Sequence, residues 1–148
     1  MQDTLKIAFI QSDLVWENPK QNRKNFKEKI EAITTDVDMI LLPEMFTTGF
    51  TMNARECAET MDGKTVSWMQ KMAVLKNAVL VGSIIIEENY KFYNRLLLVH
   101  PDGKTEFYDK RHTFTLAGEH EVYASGNSNV HVSAFPVRTA WAMLLPVT

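Results

Sequence analysis

Cysteine is nearly missing from the sequence: Cys57 is the single one in 148 residues, so no internal disulfide can form, as expected of a chain kept in a reducing compartment. Long hydrophobic runs are missing as well. The longest, residues 78–86, falls well short of the roughly 20 apolar residues that a membrane-spanning helix needs. Residues 1–6 (MQDTLK) carry no basic stretch leading into an apolar one. The expectation is a cytoplasmic chain with no membrane partner.

No charge of one sign dominates. Sixteen Lys and Arg stand against eighteen Asp and Glu, and the basic residues are scattered, which argues against the footprint by which proteins hold nucleic acid. The four histidines, at 100, 112, 120 and 131, show no metal-ligand spacing, so neither a metal nor a cofactor is expected. There is no glycine-rich phosphate loop and no Gly-x-Ser-x-Gly nucleophile elbow. What the chain does have is 45% hydrophobic and 10% aromatic content, enough for one domain with a core.

Along the chain, residues 5–11 (LKIAFIQ) form a short apolar run of the kind found in strands buried on both faces. Asn18-Pro19 then places a good N-cap before a proline at the first helical position, and Asn22, Phe26, Ile30 and Ile33 follow at helical spacing. Residues 38–43 (DMILLP) read as a second buried strand that delivers Glu44 into a loop, residues 45–50. Gly63-Lys64-Thr65 starts a second helix, with Thr65 as its cap and Val66, Met69, Met72 and Ala73 on one face. A third strand, residues 79–86, follows directly. Strand alternating with helix argues for an α/β layer. Residues 92–99, the turn Pro101-Asp102-Gly103 and Thr105–Asp109 then read as a β-hairpin. Periodicity is lost over residues 111–129, which read as a long loop of the kind that is commonly functional, and residues 130–132 read as the start of a further strand.

Glu44 is the first residue that could do chemistry. A carboxylate at the end of a buried strand sits where open α/β sheets place their ligands, and burial there would move it toward the range of a general base; the plainer reading is a loop cap. Lys110 closes the hairpin inside Tyr108-Asp109-Lys110-Arg111-His112, a pattern that is most often a solvated turn. Gly118-Glu119-His120-Glu121 gathers two carboxylates and an imidazole. Cys57 lies in a polar connecting stretch, Asn53-Ala54-Arg55-Glu56-Cys57-Ala58-Glu59, and reads as structural.

Four strings in order, LLPEMFTTGF (41–50), YNRLLLVHPDG (93–103), FYDKRHTF (107–114) and AGEHEVYASGN (117–127), resemble the nitrilase superfamily of carbon-nitrogen hydrolases, and within it the bacterial omega-amidase-like branch. The likeness runs from about residue 5 to residue 130. It implies an αββα sandwich that pairs with a second copy through one helical face, and hydrolysis of small amides such as 2-oxoglutaramate. It also implies that Glu44 is the general base, Lys110 the stabiliser of the tetrahedral intermediate and Glu119 a supporting glutamate, with Phe46 and Phe50 lining the substrate pocket. In the family a cysteine thiol, after a later strand and in a context like Val-Cys-Tyr-Asp, attacks the amide carbon.

No such cysteine occurs here. Thr148 stands about where the thiol would be, and residues 133–148 fit the family poorly. Residues 1–148 are therefore expected to be a truncated carbon-nitrogen hydrolase domain, inactive alone, with uncovered apolar edges that favour self-association. The alternatives are a non-catalytic binding or assembly protein that retains the sandwich, and a thiol-independent hydrolase using Glu44 and Glu119 as an acid/base pair.

Overall fold

A computed structural model describes residues 4–127 of the chain. The strand expected at residues 130–132 and the tail from residue 133 to Thr148 lie outside the described residues. The expected alternation of strand and helix is present. Strand β1 (Ile7–Phe9), helix α1 (Pro19–Glu31), strand β2 (Met39–Leu41), a short helix α2 (Ala54–Cys57), helix α3 (Lys64–Lys76) and strand β3 (Val79–Glu88) lead into strands β4 (Lys91–Val99) and β5 (Thr105–Asp109). The sheet order is β1-β2-β3-β4-β5; the first three strands pair in parallel and the last three antiparallel.

Because the two parallel crossovers step along the sheet in the same direction, a right-handed connection puts α1 and α3 on the same face. They pack there over one core that joins Phe26 and Ile30 of α1 to Val66, Met69, Met72 and Ala73 of α3, and to Ile40, Leu80, Ile84, Leu97 and Val99 of the sheet. The opposite face carries Met39, Leu41, Val79, Val81, Leu96 and Leu98 as a second apolar set. The described residues thus form one helical layer on one sheet.

Local chemistry explains the element ends. The Asn18 side chain accepts a hydrogen bond from Gln21 N–H, and Pro19 takes the first turn, where its missing N–H costs nothing. Thr65, expected as the cap of the second helix, lies inside it. Gly63 is the N-cap residue of α3, and the Glu59 carboxylate accepts from the Thr65 N–H (2.8 Å) and bonds its hydroxyl and Arg23. A carboxylate from an earlier segment thus does the work assigned to the threonine.

The first strand departs from expectation more plainly. Ile7 and Phe9 are 38% and 75% exposed, because β1 is an edge strand and their side chains point away from the helical layer, while Ala8 and Ile10 pack toward it. Residues 88–91, where the pattern changes after the third strand, hold a tight turn. Asn89 and Tyr90 both have positive φ, as a two-residue hairpin of right-handed twist demands. Residues 111–127 are less irregular than expected: a 3-10 turn (Thr115–Ala117) and helix α4 (Glu119–Val122) lie within them.

Candidate active site

Glu44 stands three residues beyond Leu41, the last residue of β2, and directly after Pro43. Three bonds hold the turn that carries it: Leu42 N–H to Val81 O (2.8 Å), Met45 N–H to Ser83 Oγ (2.9 Å) and Phe46 N–H to Ser83 O (3.2 Å). Met45 adopts positive φ to make the reversal. Behind the loop sits Asn22, a polar residue on the apolar stripe of α1. Its side chain bonds Val15 N–H and the Val15 and Thr47 carbonyls, tying two loops to the helix.

Lys110 follows the last residue of β5, with its N–H on Asn94 O (2.9 Å). On the opposite face of the sheet, Arg95 holds the β4–β5 register by two bonds to Asp109 (2.6 and 2.8 Å), while its guanidinium lies 4.0 Å from the centre of the Phe107 ring. A slip of one residue would turn Asn94 and Lys110 away from each other. Gly126 crosses this strand end with its N–H on Lys110 O, and a side chain there would meet Asp109 O at 2.1 Å, so only glycine fits.

Helix α4 brings the third group. Glu119 is fully buried, and one of its oxygens accepts the Phe114 N–H at 2.5 Å. Lys110 Nζ bridges the two carboxylates, 3.0 Å from Glu44 Oε1 and 2.9 Å from Glu119 Oε2. Asn94 Nδ2 bridges them from the other side, 2.6 Å from Glu44 Oε1 and 3.2 Å from Glu119 Oε1. Burial pulls the Lys110 ammonium down, yet its hydrogen bonds to Glu119 and Glu44 and their charges outweigh this and hold it above the ordinary lysine range. It therefore stays protonated at neutral pH.

These groups stand at the polar end of a cleft of about 830 Å³. Its walls are apolar, with Phe9, Leu41, Val81, Leu96 and Tyr108 along the sheet, and Phe50 and Phe114 beside the polar end. The Phe50 and Phe114 ring centres are 6.4 Å apart, and Lys110 Nζ lies 5.1 Å from the Phe50 ring. A cation and a carboxylate held together at one end of an apolar cleft can polarise a carbonyl and move a proton.

The structure brings Glu44, Lys110, Glu119 and Phe50 together. It does not bring Phe46. That ring is fully buried, 5.5 Å from Phe26 and 5.8 Å from Trp68, and does not line the cleft. The turn at Met45 sends the side chain after it into the helical core. Burial also differs from expectation: the Glu44 side chain is half exposed, and the fully buried carboxylate is Glu119. Nothing in the sequence singles out Asn94 or Ser83 as site residues, although Asn94 is the second residue of YNRLLLVHPDG.

Cys57 is outside the cleft lining. It packs with Met45, Ala54, Ile85 and Tyr123, and burial, then the charges of Glu17 and Glu56, push its thiol up, so it is held as the unreactive thiol. Among the described residues no three His, Cys, Asp or Glu side chains gather as metal ligands, and no helix is long and apolar enough to cross a membrane.

The profile of the family described as "Carbon-nitrogen hydrolase" matches residues 6–142. Omega-amidase YafV of Escherichia coli K12 is 43% identical over 128 residues, which is 86% of this chain and 49% of that protein. The 2-oxoglutaramate amidase of Bacillus subtilis 168 is 29% identical over 126 residues, 83% of this chain and 49% of that protein. Among solved structures, a CN-hydrolase superfamily protein of Xanthomonas campestris superposes with a TM-score of 0.85 at 36% identity, covering 89% of this chain and 49% of that one. The chain spans about half the length of the curated relatives it matches.

Proposed function

The chain belongs to the carbon-nitrogen hydrolase family, and from that premise we propose that it supplies the Glu44–Lys110–Glu119 part of an amidase acting on a small 2-oxo acid ω-amide such as 2-oxoglutaramate. The observation that carries this reading is the bridge of Lys110 between two carboxylates at the polar end of an apolar cleft. The nucleophile is a cysteine thiol that the described residues do not contribute, and the chain alone is inactive.

In this reading Glu44 takes the thiol proton as sulfur attacks the amide carbon. The carbonyl oxygen becomes an oxyanion facing the Lys110 ammonium, whose fixed charge stabilises it most in a water-poor site. Collapse of the intermediate breaks the carbon–nitrogen bond, with Glu44 returning its proton so that ammonia leaves. Water then attacks the thioester, Glu44 takes its proton, and the carboxylate product and the thiol are released. Glu119 receives three donors and stays buried, which suits it to holding Lys110 and Asn94 rather than to exchanging protons with substrate. That arrangement disfavours an acid/base pair of Glu44 and Glu119 working without a thiol. Phe50 borders the substrate, while Phe46 supports the loop from the core.

The test joins this chain to the thiol-bearing remainder of the Escherichia coli omega-amidase and measures ammonia from 2-oxoglutaramate. The joined protein should release it, Glu44→Gln and Lys110→Met should each abolish release, and the 148-residue chain alone should release none. A folded but silent joined protein would favour a binding or assembly role. Steady release by the chain alone would overturn the need for an outside thiol.

A further inference from the structure

Among the described residues two side chains hydrogen-bond to both Glu44 and Glu119, Lys110 and Asn94, and only Asn94 is uncharged. Asn94 is 3% exposed, sits in the middle of the sheet opposite Ile85, and directs both hydrogens of a single amide nitrogen at two different carboxylates. A buried amide in that position is an unusual commitment. An apolar residue would leave Glu44 with Lys110 alone and Glu119 with Lys110 and the Phe114 N–H, and a second cation would duplicate the charge that the site places at one point.

The bonds to Glu44 are also asymmetric. Both Asn94 Nδ2 (2.6 Å) and Lys110 Nζ (3.0 Å) go to Oε1, and among the described residues no hydrogen bond engages Oε2. Two donors on one oxygen fix the plane and the rotation of a carboxylate that is otherwise half exposed and free to turn. The other oxygen is left without a donor among the described residues, on a side chain that lines the cleft.

We propose that Asn94 is a positioning residue that fixes Glu44 through Oε1 and reserves Oε2 as the oxygen that takes and returns the proton. The assignment of Oε2 rests on the reading of Glu44 as the general base; the positioning by Asn94 does not. Its place is secured from the other face of the sheet, since the Arg95–Asp109 pair sets the register that puts Asn94 beside Lys110.

The test follows Lys110 by nuclear magnetic resonance of its labelled side chain in the 148-residue chain, as a function of pH, so that it needs no turnover. The Lys110 signal is assigned with Lys110→Arg. If Asn94 holds Glu44 against Lys110, then Asn94→Ala frees the carboxylate and the Lys110 titration moves down toward the ordinary lysine range. The same move should be seen in Glu44→Gln, and adding Asn94→Ala to Glu44→Gln should move it much less than Asn94→Ala moves the wild type. Backbone amide spectra check that the fold is kept, and Asn94→Ser, which retains one donor, replaces the alanine variant if that one does not fold. An unmoved Lys110 titration in the folded variant overturns the proposal. So does an equal displacement in the presence and absence of the Glu44 carboxylate, or unfolding of both variants, which would make Asn94 a residue of the fold alone. A silent joined enzyme alongside the expected Lys110 response would instead overturn the function and leave the positioning intact.

Discussion

Glu119 gives the sharpest quantitative prediction, because its carboxylate is wholly out of solvent and its three donors can be followed one by one. In Glu119→Ala the Phe114 N–H loses its acceptor, at about 1–3 kcal/mol for a buried donor left unmade. Lys110 loses one charge-assisted bond, worth about 1.5–3 kcal/mol, but keeps Glu44 and some solvent at 23% exposure. Asn94 retains Glu44 and adds little. The loss should come to about 3–5 kcal/mol, the size found when one partner of a buried ion pair is removed. Glu119→Gln still offers an oxygen to the Phe114 N–H and turns an amide nitrogen toward donors, so it should cost about 1.5–3 kcal/mol. Urea unfolding followed by circular dichroism, at several protein concentrations so that self-association is seen, measures both against wild type with an unchanged slope. The paired change Glu119→Leu with Lys110→Met should cost less than Glu119→Ala, since no buried donor of the lysine remains. An alanine variant losing under about 1 kcal/mol, or a glutamine variant no better than alanine, would sink this account of the site.

Two further outcomes follow from the same geometry. Phe46→Ala should cost about 3–5 kcal/mol in the same urea assay, as for a fully buried aromatic, while Phe50→Ala should lose only about 1 kcal/mol, the worth of an aromatic contact at a cleft wall; equal losses would contradict their separate placement. Lys110 is raised in the folded state, so its stabilisation is complete below the ordinary lysine value of about 10.4 and is lost as pH rises through the raised folded value. Lys110→Met should therefore flatten the alkaline fall of unfolding free energy, and an equally steep fall in both proteins above pH about 10 would refute it.

How far the sequence speaks depends on whether the deciding interaction is local. Asn18-Pro19 announces α1 because a cap and its helix are neighbours, and Thr105–Asp109 is legible as the return strand because the turn at residues 101–103 immediately precedes it. Thr65 misleads, since the group that satisfies the start of α3 comes from Glu59, before the helix begins. The edge position of β1 is invisible in an apolar run, because pattern records which residues shun water and not which strands have neighbours on both sides. At the site, Glu44, Lys110 and Glu119 are marked by charge after apolar strands and by the family strings. Asn94 lies in one of those strings but carries no charge to single it out: its importance comes from pairing with Ile85 and lying beside Lys110, and both are facts of register. Phe46 and Phe50 look alike in sequence, and only the backbone reversal at Met45 separates them.

The sequential order of the sheet bears on how the site comes into being. Strands β3, β4 and β5 form a meander joined by tight turns, so Asn94 and Lys110 can be set side by side by closing short loops. Glu44 stands 66 residues from Lys110, and its strand must find β3 across the whole of α3 before the carboxylate arrives. Loop closure is slower and dearer in entropy for such distant pairings. The ammonium and the amide are thus expected to wait, already aligned, for an anion delivered late, and folding experiments on the meander should find half of the site assembled before the base joins it.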